Sequence, residues 1–372
     1  MIEWGLIVSF AFVFMATVSC LLMLWRMPKI ADEPHETSGE AQVSIIIPAR
    51  NEEKRLGPLL ASIQPKSRPN MEVLVIDDDS TDQTAEFARS FGARVIANTQ
   101  VEDGWIGKSA ACWQGATAAS GEILLFLDAD TRFYKNTSID ELIGAYQTSG
   151  SRGILSVQPF HTVTKPYENL SFIFNMIVMA GMNVFTPWSF KGAGSFGPCI
   201  VTNRTDYFAS GGHKKISGAV MDDLALGEAY QHVDLPVDCF SGKGLIHFQM
   251  YPEGLRPLIE GWTKNFATAS QSTHPLVTTL ISIWISGGFL ALPALVLSLV
   301  VGNGAFVATS VLLFALFTLQ LYAVGRQVGS FHWWVYPLHF IFFVFFTLLF
   351  MRSVYYTKVK QTVTWRGRKI RV

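Results

Sequence analysis

Ile123-Leu124-Leu125-Phe126-Leu127-Asp128-Ala129-Asp130 is a short, unbroken apolar run that stops on two carboxylates. A run of this length without alternation, bounded by polar residues, is the pattern of a strand covered on both faces. Comparable runs precede it at Val43–Ile47, Val73–Ile76 and Arg94–Ile96. Between them lie stretches of helical periodicity, Glu53–Ile63, Thr81–Phe91 and Lys108–Ala119. Strand and helix alternating at this spacing predict an α/β fold, a mostly parallel sheet with helices on both faces. Ligands bind such sheets at the carboxyl ends of the strands. The first strand is followed by Pro48-Ala49-Arg50-Asn51-Glu52-Glu53, the second by Asp77-Asp78-Asp79-Ser80-Thr81-Asp82, and the fourth by Asp128-Ala129-Asp130.

A single acidic turn is commonly a helix cap, and Ser80 or Asp79 is placed to cap a helix beginning near Thr81. Two acidic strand ends beside a third polar one go beyond capping. Carboxylates gathered in one crevice repel unless a cation or a donor neutralises them. In an extended segment the side chains at i and i+2 point the same way. Asp128 and Asp130 can then reach one hard divalent ion, Mg2+ or Mn2+, which takes oxygen ligands and keeps phosphate in its remaining positions. A diphosphate leaving group needs such a charge partner.

The chain has 372 residues, 49% of them apolar, and formal net charge +0. Its mean hydropathy is +0.29. Neutrality gives no global polycation and argues against a nucleic-acid partner. Cys20, Cys112, Cys199 and Cys239 show no paired or zinc-type spacing; Cys20 lies in an apolar run, and the other three read as free thiols of a reducing compartment.

The apolar excess sits at the two ends. No charge falls between Glu3 and Arg26, and Trp4 and Trp25 bracket that run as interfacial aromatics do. Arg26 and Lys29 follow it, so the positive-inside rule puts residue 26 onward in the cytoplasm. A charge-free stretch from Pro275 to Gly325 is long enough for two crossings around Gly302-Asn303-Gly304, and Trp333 to Met351 forms a further apolar run. Counting every run as a crossing places the basic tail outside, against the same rule; either one segment is re-entrant or interfacial, or the tail departs from the rule. That tail, with Lys358, Lys360, Arg366, Arg368, Lys369 and Arg371, either touches anionic headgroups or only fixes topology. His339, inside the last run, is read as a hydrogen-bonded packing residue in preference to a functional site.

Together the motifs resemble the family 2 glycosyltransferases of the GT-A fold, over roughly Val43 to Phe266. Val43 to Glu53 looks like the opening strand and nucleotide loop, with Pro48, Ala49, Arg50 and Glu52 as donor contacts. Val75 to Asp82 looks like the uridine-binding acidic turn, with Asp77 and Asp78 at the paired positions and Asp79 where glycine or asparagine is usual. Gly104-Trp105-Ile106-Gly107-Lys108 looks like the segment whose lysine contacts the nucleotide, and Asp128-Ala129-Asp130 matches the metal motif. Met221-Asp222-Asp223-Leu224 is similar to the segment carrying the catalytic base, with Asp223 on the base position and Asp222 in place of glutamate. The later arginine–tryptophan motif of processive members is not intact: Trp262 takes the tryptophan place, no arginine precedes it, and Lys264 is left to supply charge.

Within the family, Gly104 to Lys108, Gly194 to Cys199 and the membrane layout look like the bacterial carotenoid glycosyltransferases; hopanoid, ceramide-type and glycerolipid enzymes share much of that layout. The resemblance implies an inverting, metal-dependent transfer of a hexose from a UDP-sugar to a membrane lipid acceptor, such as the carboxyl group of a C30 carotenoid acid. Expected divisions are an anchor at 1–27, a cytoplasmic catalytic domain at 40–252, an interfacial segment at 253–274, membrane segments at 275–352 and a basic tail at 353–372. The stretch from Tyr167 to Phe190, with Phe172, Phe174, Met176, Met179, Met182 and Trp188, either lines an apolar path for the acceptor or packs as helices. Phe196, His213, Trp262 and Lys264 are candidate acceptor contacts. Two other readings compete: a polysaccharide synthase, which lacks its motif here, and a non-catalytic nucleotide- or lipid-binding membrane protein.

Overall fold

The computed structural model describes residues 1–30, 41–65, 69–98, 105, 107–219, 221–269, 272–360, 362–365 and 368–371. The side chains of 264–269 and of the residues beyond 360 are not part of that description. The chain forms two compact units. One comprises Pro28–His161 with Gly194–Gln249, the other Met1–Met27, Thr162–Ala193 and Met250–Val372.

The first unit holds strands β1 (Val43–Ala49), β2 (Met71–Asp77), β3 (Arg94–Ala97), β4 (Ile123–Leu127), β5 (Thr131–Phe133), β6 (Ile154–Gln158), β7 (Phe160–His161), β8 (Cys199–Asn203), β9 (Val237–Ser241) and β10 (Ile246–Phe248). Seven of them make one sheet in the order β3-β2-β1-β4-β8-β6-β9. It is parallel except for β8, which runs antiparallel to β4 and β6. The remaining three form a small sheet, β5-β10-β7. The chain reverses its winding at β1, which pairs with β2 on one side and β4 on the other. That is the switch point where an open α/β sheet leaves a crevice.

Alternate residues of the central strands feed two cores, because successive side chains leave a strand on opposite faces. Ile45, Ile47, Val73, Val75, Leu125 and Leu127 pack with Leu59, Leu60 and Leu142. Ile46, Leu74, Ile76, Leu124 and Phe126 pack with Ala111, Tyr207, Leu226 and Tyr230. All five residues of β4 are buried, which is why its sequence shows no polar alternation.

The helices after β1 and β2 start later than their periodicity predicts, at Leu56–Ile63 and Thr84–Ser90. Their first polar residues knit the two strand ends together instead. Glu53 N–H donates to Asp82 Oδ2 at 3.3 Å, Gln83 N–H to Glu53 Oε2 at 3.3 Å, and Glu52 N–H to Thr84 Oγ1 at 2.8 Å. The cap role expected of Ser80 or Asp79 falls to Asp82, whose Oδ1 accepts from the Thr84 N–H at 3.0 Å.

Among its described residues the second unit contains four helices long and apolar enough to cross a membrane: Ile2–Met23, Pro275–Val301, Gly304–Val328 and His339–Lys360. Trp4 and Trp25 stand exposed at the two ends of the first. The last begins six residues later than the apolar run because Pro337 cannot continue a helix through its own position. His339 Nδ1 pairs with Tyr336 O at 2.8 Å, a packing role. Thr162–Ala193 belongs to this unit, although it falls within the range expected of the catalytic domain. Its helix Phe172–Gly181 is apolar except for Asn175, whose side-chain amide donates to Ser171 O at 2.9 Å, as expected of a helix surrounded by others. Phe172, Phe174, Met176, Met179 and Met182 are each at most 3% exposed, so they serve as packing and not as an open lining. Thr362–Trp365 and Arg368–Arg371 pair antiparallel in the tail, whose basic side chains at 366–371 lie outside the described residues.

Leu125, central in β4 and 0% exposed, provides a direct check on the sheet. Leu125→Ala is expected to cost about 2–5 kcal/mol, a large part of a domain's stability, and to lower the thermal unfolding midpoint of detergent-purified protein accordingly.

Candidate active site

The cleft at the carboxyl ends of β1 and β4 is lined by Pro48, Phe126, Leu127, Asp128, Lys108, Cys112, Gly197, Ile200, His213, Asp222 and Asp223. Three segments distant in sequence converge there. Lys108 is the first residue of the helix Lys108–Ala118, Asp128 follows β4, and Asp222 and Asp223 open the helix Asp222–Gln231.

Lys108 Nζ lies 2.6 Å from Asp128 Oδ1 and donates to Gly197 O at 3.4 Å. Burial alone would lower the pKa of this amine, but Asp128 and Asp222 outweigh it and hold the ammonium well above its usual range. Asp223 shows the opposite balance. Burial and the neighbouring Asp222 push its carboxyl up, to about 6, against the lowering effects of Lys108 and of the Leu224 N–H. That N–H donates to Asp223 Oδ1 at 3.0 Å, and Ser195 Oγ donates to Asp223 O at 2.8 Å. Gly197 packs directly on the same residue: a Cβ there would meet Asp223 Cβ at 2.9 Å and Oδ2 at 3.0 Å. His213 is buried and its imidazole is pushed down to about 4, chiefly by that burial. Burial likewise raises the Cys112 thiol and leaves it unreactive.

Asp128 and Asp130 do not sit in an extended segment. Thr131 N–H donates to Asp128 O at 3.1 Å and closes a tight turn, so the extended backbone from which a shared i, i+2 direction was expected is absent. Asp128 lines the cleft; Asp130 lies beside it, its carbonyl accepting from Gln249 N–H at 3.4 Å. Among the described residues no three His, Cys, Asp or Glu side chains converge as a closed metal cage. A divalent ion that shares its shell with a diphosphate needs only one or two carboxylates. The oxygen chemistry of Asp128 and its neighbour fits such an ion, and Asp128 already holds a cationic group against it.

The other predicted donor contacts lie at the neighbouring strand ends. Arg50 Nη1 donates to Asp78 O at 2.6 Å and lies 3.8 Å from Asp78 Oδ2. Asp77 Oδ1 accepts from Ser80 N–H at 3.1 Å, and Asp78 Oδ1 from Asn98 Nδ2 at 2.8 Å. Asp79 has φ +59°, a left-handed conformation. Glycine or asparagine suits that conformation best, and aspartate tolerates it. Glu52 is buried, 3.8 Å from Arg55 Nε. Pro48 and Ala49 pair with Ile76 and Asp77 in the sheet, and Ala129 is buried in the turn.

Phe196 is buried, with its N–H donating to Ser156 Oγ at 3.1 Å. Trp262 belongs to the membrane-helix unit. It stacks on Phe174 at 4.7 Å, and its indole N–H donates to Ser171 Oγ at 3.0 Å. The Lys264 side chain, Gly104 and Ile106 lie outside the described residues. Sequence reasoning passed over Cys112, Gly197 and Asn98 as site residues. Of these only Gly197 carried a signal, as part of the glycine-flanked Gly194-Ser195-Phe196-Gly197 stretch.

The profile of Glycosyl transferase family 2 matches residues 44–185. A mannosyltransferase from Pyrobaculum calidifontis, solved with GDP-Man and Mn2+, shares the fold. It superposes with TM-score 0.52 at 16% identity, covering 94% of this chain and 99% of that one. The chain belongs to the family 2 glycosyltransferases, with a GT-A fold and membrane-span helices at both ends. Among curated proteins it is 41% identical over 330 residues to 4,4'-diaponeurosporenoate glycosyltransferase of Staphylococcus aureus (strain USA300), 88% of each chain. Identity to the counterpart in the bovine strain RF122 / ET3-1 is 40% over the same length.

The raised Asp223 carboxyl carries a stability consequence. The fold favours its protonated form, so ionisation opposes folding: stability is full below the unfolded pKa near 4 and is lost as pH rises through about 6. Asp223→Asn is therefore expected to raise the unfolding midpoint. The gain is on the order of 1 kcal/mol above pH 6 and shrinks as pH falls towards 4, read by thermal unfolding at a series of pH values.

Proposed function

We propose that this glycosyltransferase moves a hexose from a UDP-sugar, UDP-glucose in the first instance, to a membrane lipid. The proposed acceptor is the carboxyl group of a C30 carotenoid acid such as 4,4'-diaponeurosporenoate. The single observation that carries the reading is the cleft's pairing of an amine-neutralised carboxylate, Asp128 with Lys108, and a second carboxyl, Asp223, raised to about 6. A general base works best with a pKa near the operating pH. A leaving diphosphate needs fixed positive charge where its own charge develops. The acceptor assignment rests on the relative's printed activity and on identity that extends over 88% of both chains.

In this reading Pro48, Ala49, Arg50, Glu52, Asp77 and Asp78 hold the nucleotide. Asp128 and Asp130 hold Mg2+ or Mn2+, which when bound neutralises the diphosphate. Lys108 adds its ammonium to the same charge. Asp223, with Asp222 beside it, faces the acceptor: it takes the proton of an alcohol, whereas an acid that is already ionised needs no base. An ionised carboxylate oxygen forms its bond to the sugar's anomeric carbon as the bond to UDP breaks, inverting that carbon and releasing no proton. The cleft unit then lies on the cytoplasmic side of the cell membrane, where UDP-sugars are made.

The test is transfer of radiolabelled glucose from UDP-glucose by purified protein in lipid nanodiscs, to the carotenoid acid and to the matching primary alcohol. Chelation should stop both reactions, and Mg2+ or Mn2+ should restore them. Asp128→Asn should lose both. Asp223→Asn should lose roughly 10²–10⁴-fold on the alcohol, the usual worth of a general base, and much less on the acid. The alcohol rate should rise with pH through about 6 as Asp223 ionises, while the acid rate should show no such rise. No transfer to either acceptor with both metals present would reject the reading.

A further inference from the structure

His213 sits in the cleft on an unusual support. It follows Gly211-Gly212 in a short turn over the ring of Tyr207, so close that a Cβ on Gly212 would meet Tyr207 Cζ at 2.6 Å. Tyr207 is 0% exposed, so its hydroxyl must find its partners inside the protein. The His213 backbone N–H donates to that hydroxyl at 3.3 Å, and the hydroxyl lies 3.0 Å from His213 Nδ1. A phenol that accepts from the backbone still has one proton to place. The neighbour that can accept it is Nδ1, which fixes the ring as the Nε2–H tautomer. Phe126 packs on the imidazole at 5.2 Å between centroids and holds its plane.

The hydrogen-bonding inventory of the cleft then becomes uneven. Asp128, Asp222 and Asp223 are acceptors; Lys108 and His213 are the strong side-chain donors. Lys108 is committed to Asp128. Carboxylates can bind the hydroxyls of a sugar or an alcohol, but they repel another carboxylate. Among the described lining residues the donor not engaged at the diphosphate end is His213, and an acid acceptor needs such a donor. We propose that His213 is the specificity-determining donor of this site, giving its Nε2–H to a carboxylate oxygen of the acceptor. The inference rests on the carotenoid-acid reading above and deepens it. It assigns Tyr207 as the positioning residue that keeps the imidazole in the donating tautomer.

Three variants test it against the same acid and alcohol acceptors: His213→Phe, which removes the donor, His213→Gln, which keeps one, and Tyr207→Phe, which releases the tautomer. His213→Phe should raise KM for the acid roughly ten- to a hundredfold, the worth of a hydrogen bond to a charged group. Turnover on the alcohol should fall far less than turnover on the acid, and KM for UDP-glucose should not rise. His213→Gln should recover part of the acid preference, and Tyr207→Phe should lose part of it. A raised KM for UDP-glucose would place His213 on the donor sugar instead and overturn the inference. So would an acid-to-alcohol preference unchanged in His213→Phe and His213→Gln, both checked for folding by thermal unfolding and UDP binding. Wild-type protein that ignores the acid would fail at the functional reading itself, before any variant is compared.

Discussion

The ion pair between Lys108 and Asp128 is the contact on which the cleft depends. Three carboxylates, Asp128, Asp222 and Asp223, face one ammonium. Unit charges a few ångströms apart interact by roughly 4 kcal/mol where water partly screens them, so this cleft carries excess negative charge even with the pair made. The excess shows in its members: Asp223 retains its proton to higher pH, and Lys108 holds its proton more tightly. A nucleotide diphosphate would add further negative charge. Binding it would be favoured by a cation beyond Lys108, which is the physical argument behind the divalent ion proposed at Asp128 and its neighbour.

Geometry keeps that charge in place. The helix that opens on Asp222 is pinned by the segment before β8, where Ser195 Oγ holds Asp223 O and the bare Cα of Gly197 permits contact with the Asp223 side chain. The same Gly197 offers its carbonyl to Lys108. Asp128 N–H donates to Pro198 O at 3.0 Å. One stretch of four residues, 195–198, thus touches Asp223, Lys108 and Asp128 together. A carboxyl raised by crowding is costly to the fold, and catalytic sites commonly bear such a cost because the same crowding tunes the group.

The strands were legible because a sheet covered on both faces writes itself as short apolar runs; Ile123–Leu127 is bounded by the same residues in sequence and structure. The acidic strand ends were legible because their side chains are few and unusual. What escaped depends on contacts between distant residues. The helix starts after β1 and β2 were misplaced because Glu53 and Asp82 bond across the two loops, which neither local pattern reveals. Asp128 and Asp130 looked extended because the run before them is a strand, yet the i to i+3 bond from Thr131 bends them into a turn. Phe172–Gly181 read equally as lining or packing, since apolarity alone does not say what covers a helix. The Tyr207–His213 pair was invisible for the simplest reason: a tyrosine six residues before a histidine means nothing until a Gly-Gly turn folds one over the other.

The membrane helices have a role beyond anchoring if the acceptor is a long polyene acid. Moving apolar carbon from lipid to water costs roughly 0.8 kcal/mol per methylene, so a C30 chain drawn fully into the aqueous phase would cost well over 10 kcal/mol. No hydrogen bond to its carboxylate offsets that, since even a charge-assisted one contributes only about 1.5–3 kcal/mol. The transfer is therefore feasible only where the chain stays in hydrocarbon and the head group alone reaches the charged cleft. On that proposed acceptor, the division of labour matches a chain whose described residues include a polar α/β unit and four apolar helices. It also places the burden of acceptor choice on the few donors that meet the head group.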